Sequence, residues 1–152
     1  MKIHLVGLLL TACSLLTITS SAQQSPVSYS VDLTRANTHY VTVEMTFEPV
    51  DEKTQIMMPV WTPGSYLIRE YPKQVDRIVA KGAKGKKLNI EKVTKNRWQV
   101  DCGDNKSVTV KYRLYCHERS VRTNWVSHDY AILNGAPTFI TCLLYTSDAA
   151  DE

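Results

Sequence analysis

Val41-Thr42-Val43-Glu44-Met45-Thr46-Phe47 is the stretch that decides the fold class. Val41, Val43, Met45 and Phe47 fall on one face of an extended chain, and Thr42, Glu44 and Thr46 fall on the other. Successive side chains of a strand point to opposite faces, so this alternation marks an antiparallel strand with one face on a core. The pattern recurs on both sides of it. Val27, Tyr29, Val31 and Leu33 alternate upstream. Downstream, Trp98, Val100 and Cys102 do the same, and Val108, Val110, Tyr112, Leu114 and Cys116 alternate against Thr109, Lys111, Arg113 and Tyr115.

Turn residues separate these runs. Gly103-Asp104-Asn105-Lys106 reads as a hairpin loop between two alternating segments, and Gly82 to Lys87 reads as another. Helical periodicity is nearly absent; only Tyr66 to Arg77 admits a helical turn. The expectation is an all-β fold, an antiparallel β-sandwich or curved sheet of about eight strands. The Gly103 hairpin bears on the cysteines. If Cys102 pairs with Ser107, Cys116 lies about 30 Å farther along the strand, beyond the ~7 Å reach of a disulfide. Cys102 and Cys116 are therefore expected to be separate, buried and reduced.

The chain has 152 residues and a mass of 17.2 kDa, with 43% hydrophobic and 22% charged residues. These values exclude disorder and collagen-like repeats. Both ends read as foreign to the folded part. Lys2, an apolar stretch from Ile3 to Ile18, and the small residues Ser20, Ser21 and Ala22 form the pattern of a secretory signal, with cleavage expected after Ala22. Competing readings are a membrane anchor and a lipobox at Leu10-Thr11-Ala12-Cys13, in which an acyl chain on Cys13 would anchor the protein. At the other end, residues 142–152 (CLLYTSDAADE) resemble a translated sequencing adaptor and are set aside as a non-native tail. The domain to interpret is residues 23–141, expected to be exported to the periplasm or outside the cell, with no stable membrane span once the signal is gone. In it, 17 basic residues against 12 acidic ones leave a net charge of +5. That is mildly basic and falls short of a nucleic-acid-binding surface.

Pro59-Val60-Trp61-Thr62-Pro63-Gly64-Ser65-Tyr66 is the most informative local motif. Thr62 to Ser65 fits a type II turn, with Pro63 pre-setting φ at the second position and Gly64 supplying a positive φ at the third. Trp61 and Tyr66 bracket the turn, and Arg69 and Glu70 follow. A tight corner whose aromatics cap the core is the plainer reading. An aromatic, charged rim offered to a ligand or a neighbouring domain is the functional one, with Trp61, Pro63, Gly64, Tyr66 and Arg69 as the candidate contact residues.

Other catalytic chemistry finds little support. There is no HExxH: His117-Glu118 begins like it but continues Arg119-Ser120-Val121. His117, His128 and Asp129 offer donors that zinc accepts, but without the spacing of a metal motif; solvent-exposed loop histidines are the better account. No GxSxG elbow surrounds Ser65, and Cys116 and His117, as strand neighbours, point to opposite faces. Gly82-x-x-Gly85-Lys86 lacks the strand-to-helix setting of a phosphate loop. Lys81, Lys84, Lys86 and Lys87 read as a solvated hairpin tip that also discourages edge pairing.

The same motif carries a resemblance. Pro59-x-Trp61-x-Pro63-Gly64-Ser65-Tyr66 with Ile68-Arg69-Glu70-Tyr71, then Asn96-x-Trp98, Val110 to Tyr115, Ser120 to Asn124 and Ala131 to Ala136, resemble the N-terminal domain of the glycyl aminopeptidase family, PDZ-containing metallopeptidases. The resemblance implies a β-rich domain followed by a thermolysin-like zinc domain and a PDZ domain, which would be its partners in the parent chain. The parent would remove N-terminal glycine or alanine from peptides. The zinc ligands and general base would lie beyond Thr141, so no catalytic or metal-binding residue and no cofactor is expected in this fragment. A stand-alone secreted β-sandwich binding carbohydrate or protein through Trp61, Tyr66, Trp98 and Trp125 is the alternative.

Overall fold

The computed structural model describes residues 27–65 and 67–143. The expected signal, residues 1–22, and residues 144–152 of the tail lie outside the described residues. Eleven strands follow in order: β1 (Ser28–Asp32), β2 (Tyr40–Phe47), β3 (Lys53–Met57), β4 (Val75–Gly82), β5 (Lys87–Leu88), β6 (Ile90–Lys92), β7 (Arg97–Asp101), β8 (Val108–Tyr115), β9 (Trp125–Val126), β10 (Ala131–Ile132) and β11 (Thr141–Cys142). One sheet has the order β1-β2-β8-β4-β5, the other β11-β3-β7-β6, and β9 with β10 forms a small separate pair. All these pairings are antiparallel. The all-β, antiparallel sandwich expectation holds.

The alternation in β2 explains its central place. Val41, Val43, Met45 and Phe47 lie directly opposite Leu114, Tyr112, Val110 and Val108 of β8, and all eight are buried. The other sheet contributes Ile56, Trp98 and Val100 to the same core cluster. Burying each such side chain stabilises the fold by about 1.5–3 kcal/mol, and a one-residue slip would turn the whole set to solvent. The outward residues form polar pairs instead: Lys111 Nζ reaches Glu44 Oε1 at 2.8 Å, and Arg113 pairs with Asp76.

Three local expectations change. The Gly103 loop is not a hairpin: β7 pairs with β3 and β6, whereas β8 pairs with β2 and β4, so the loop carries the chain from one sheet to the other. Both neighbours of β7 are already taken, which leaves β8 no edge there. The Gly82–Lys87 loop does close a hairpin, pairing Ala80 with Leu88 and Lys81 with Lys87. After Asn89 the chain then crosses to β6 in the second sheet. Among the described residues the strands number eleven against about eight expected, because β5, β9, β10 and β11 have two residues each, too few for a period-two pattern to register. The possible helical turn is a single 3-10 turn, Tyr71–Gln74, before β4.

Cys102 and Cys116 are unpaired and buried, as is Cys142. The pairing of Cys102 with Ser107 that underlay the distance argument does not occur, since β7 and β8 lie in different sheets. Cys142 sits in β11 opposite Ile56, so this strand spans the boundary drawn after Thr141. Burial raises the Cys116 thiol from 9.0 to about 11 and the Cys142 thiol from 9.0 to about 12; Cys102 is raised by the same cause. These thiols stay protonated in the folded chain at a pH where the unfolded chain ionises them, so folding holds more protons. Their stabilising contribution is complete below pH 9 and is lost as pH climbs toward 11 and 12. Melting temperature should therefore fall between pH 9 and 11, and a thiol reagent at pH 8 should modify these three only in denaturant. Rapid native modification of Cys116 or Cys142 would contradict this burial.

Candidate functional site

The motif from Pro59 to Tyr71 forms a closed loop at one end of the sandwich. Where β3 ends, the Met58 N–H donates to the Asn96 carbonyl at 3.0 Å, and Asn96 Nδ2 returns a bond to the Met58 carbonyl at 3.2 Å. The loop mouth is shut by the Arg69 N–H on the Val60 carbonyl at 2.6 Å. At its tip, the Ser65 N–H donates to the Thr62 carbonyl at 3.1 Å and Gly64 has φ +78°, as the type II turn requires. Arg69 braces the tip from inside: Nη1 donates to Ser65 Oγ at 2.8 Å and to the Leu67 carbonyl at 3.1 Å.

The structure therefore brings Arg69 onto the turn that Pro63 and Gly64 make, while Pro63 and Gly64 themselves are exposed. Tyr66 lies outside the described residues. Trp61 is 37% exposed, Leu67 63% and Ile68 70%. Three apolar side chains thus stand in solvent on a loop whose backbone is tied at its base, its mouth and its tip. Glu70 extends the bracing, accepting from Lys95 Nζ at 3.0 Å, and the Lys95 ammonium holds its carboxyl below the usual range. Beneath the loop is a cavity of about 320 Å³. Leu67, Ile68 and Arg69 form one wall, and Tyr115, Glu118 and Asn124 the other.

A second cluster was not expected from the sequence. His39 and His117 stack with ring centroids 3.8 Å apart, and His117 stacks in turn on Trp125 at 4.7 Å. Arg119 lies over Trp125 at 4.4 Å. His39 has φ +61°, and its Nδ1 lies 2.6 Å from the Val126 carbonyl. A carbonyl only accepts, so Nδ1 carries the proton. Period-two alternation already put Tyr115 and His117 on one face. Bringing His39 beside them needed the β2–β8 register, in which Tyr40 faces Tyr115. His128, by contrast, is an exposed loop residue paired with Asp129 at 2.9 Å.

Residues 28–150 match the family model described as the peptidase M61 N-terminal domain. The chain belongs to this family. The glycyl aminopeptidase resemblance carried by Pro59 to Tyr71 pointed to the same place. The M61 N-terminal domain is also similar to the crystal structure of an aminopeptidase N family protein from Idiomarina loihiensis, with a TM-score of 0.73 and 27% identity. The match covers 78% of this chain and 20% of that one, so the chain spans a small part of its solved relative. No curated protein matches it.

Among the described residues no three His, Cys, Asp or Glu side chains gather as a metal would need. His39 and His117 stack as a pair, and no third such donor joins them among the described residues. Arg69 Nη1 is turned onto the loop's own groups. The arrangement can hold a surface in place.

Proposed function

We propose that this M61 N-terminal domain is the non-catalytic scaffold of a longer, exported zinc aminopeptidase that removes N-terminal glycine or alanine, and that it docks on the catalytic domain through the loop carrying Trp61 and Arg69. The observation that carries this reading is the exposure of Trp61, Leu67 and Ile68 on a loop cross-braced by Arg69, Ser65 and Val60. Exposed apolar side chains on a rigid frame lose little conformational entropy on contact, which suits an interface. Family membership and a solved relative of which the match covers only 20% support a role beside a larger catalytic part. Zinc and the general base would belong to that part.

The alternative, a stand-alone sandwich binding carbohydrate or protein through four aromatics, loses two of them, because Trp98 is buried and Trp125 is covered by His117 and Arg119. The test uses the full-length parent. Trp61→Ala is expected to lower the melting transition by an amount equivalent to about 1–2 kcal/mol and to reduce kcat/KM. Arg69→Ala should do the same by freeing the turn from its brace. Unchanged melting and unchanged kinetics in both variants would remove the docking reading.

A further inference from the structure

A groove of about 600 Å³ runs along the other side of the same loop, between it and the turn joining β6 to β7. Its apolar wall is Val60, Ile68 and Val93; its rim carries Lys73, Lys92 and Lys95. Val93 is 44% exposed where the turn begins, its N–H donating to the Arg97 carbonyl. The one acidic residue lining the groove, Glu70, is already paired with Lys95. Lys92 is steadied by the Trp98 ring, 5.2 Å from its Nζ. Three ammonium groups against one carboxylate leave a local excess of positive charge around an uncovered apolar wall.

Those two features select the same kind of occupant. An apolar side chain would cover Ile68 and Val93, and carboxylates flanking it would face Lys73 and Lys92 with complementary charge. We propose that the groove seats an acidic segment with an apolar tip, supplied by the catalytic part of the parent chain. This extends the docking reading, because Ile68 belongs to both surfaces. Basic residues at the β4–β5 hairpin, such as Lys84 and Lys86, have no such apolar companion in the groove and serve as the internal control.

Zero-length carbodiimide cross-linking of the full-length parent, read by mass spectrometry, tests this directly. Lys92 or Lys95 should join to an Asp or Glu located after this domain, and the yield should fall in 0.5 M salt, where the screening length is about 4 Å. Lys92→Glu combined with Lys95→Glu should abolish those products, while Lys84→Glu combined with Lys86→Glu should leave them unchanged. Cross-links from Lys92 and Lys95 confined to carboxylates of this domain would overturn the proposal, as would equal loss in the hairpin control. If those results came with a lowered melting transition in Trp61→Ala, the groove idea would fall and docking through the loop would stand.

Discussion

Tyr112→Ala is expected to destabilise the domain by about 4 kcal/mol or more, a large share of the ~5–15 kcal/mol that holds a typical domain folded. Tyr112 is fully buried in the middle of β8, directly opposite Val43. Removing an aromatic ring from such a place loses transfer energy and leaves a cavity. The hydroxyl adds a second loss. It donates to the Thr138 carbonyl at 2.8 Å and accepts from the Ile140 N–H at 3.1 Å. That pair of bonds pins the segment leading into β11 onto the opposite sheet. Tyr112→Phe separates the two terms: it keeps the ring, strands one buried carbonyl and one buried N–H, and should cost about 1–3 kcal/mol. Urea unfolding of both variants checks the split. A loss below about 1 kcal/mol for the alanine variant, or no loss for the phenylalanine variant, would show that this residue is not the pin described.

Asn124→Ala should follow with a loss of about 2–4 kcal/mol. Asn124 is buried, and both ends of its carboxamide are used. Nδ2 donates to the Pro137 carbonyl at 3.2 Å and to Thr138 Oγ1 at 3.0 Å, while Oδ1 accepts from the Asn134 N–H at 2.8 Å. Alanine would leave a carbonyl and an N–H without partners in a place water reaches poorly. The same side chain lines the cavity under the Trp61 loop, so the loss should reach the candidate site. Hydrogen exchange should quicken at Asn134 before it quickens in β2 or β8. Stability within about 0.5 kcal/mol of the parent sequence would count against this network.

The two substitutions act on one feature that no local pattern announces. Residues 134–140 have no useful period, yet Tyr112 and Asn124 hold them from different directions. The candidate loop was legible in part. Thr62, Pro63, Gly64 and Ser65 dictate a type II turn from their own backbone preferences, and the structure has it. The Arg69 brace on Ser65 was not legible, because it depends on how the chain returns across the loop mouth to Val60. The exposure of Leu67 and Ile68 ran against the usual fate of such residues. The sequence contained no signal for the stacking of His39 on His117, since the two lie 78 positions apart in the chain.

Alternation within single strands was enough to establish an all-β domain and to name the inward-facing residues of β2, β7 and β8, because the side-chain period of a strand is local. In and just after β1 it failed, since Tyr29, Val31 and Leu33 stay more than a third exposed on the edge of the sheet. The turn at Gly64 was settled locally, by the residue that tolerates positive φ. Sheet membership was decided only in three dimensions. The Gly103 loop reads the same whether it folds β8 back on β7 or sends it to the opposite sheet, and the choice falls to which strand edges are still open when the core closes. For the same reason the Lys92–Val93 groove and the imidazole stack emerge only after packing: they join residues whose distance in space is set by strand register and not by their spacing along the chain.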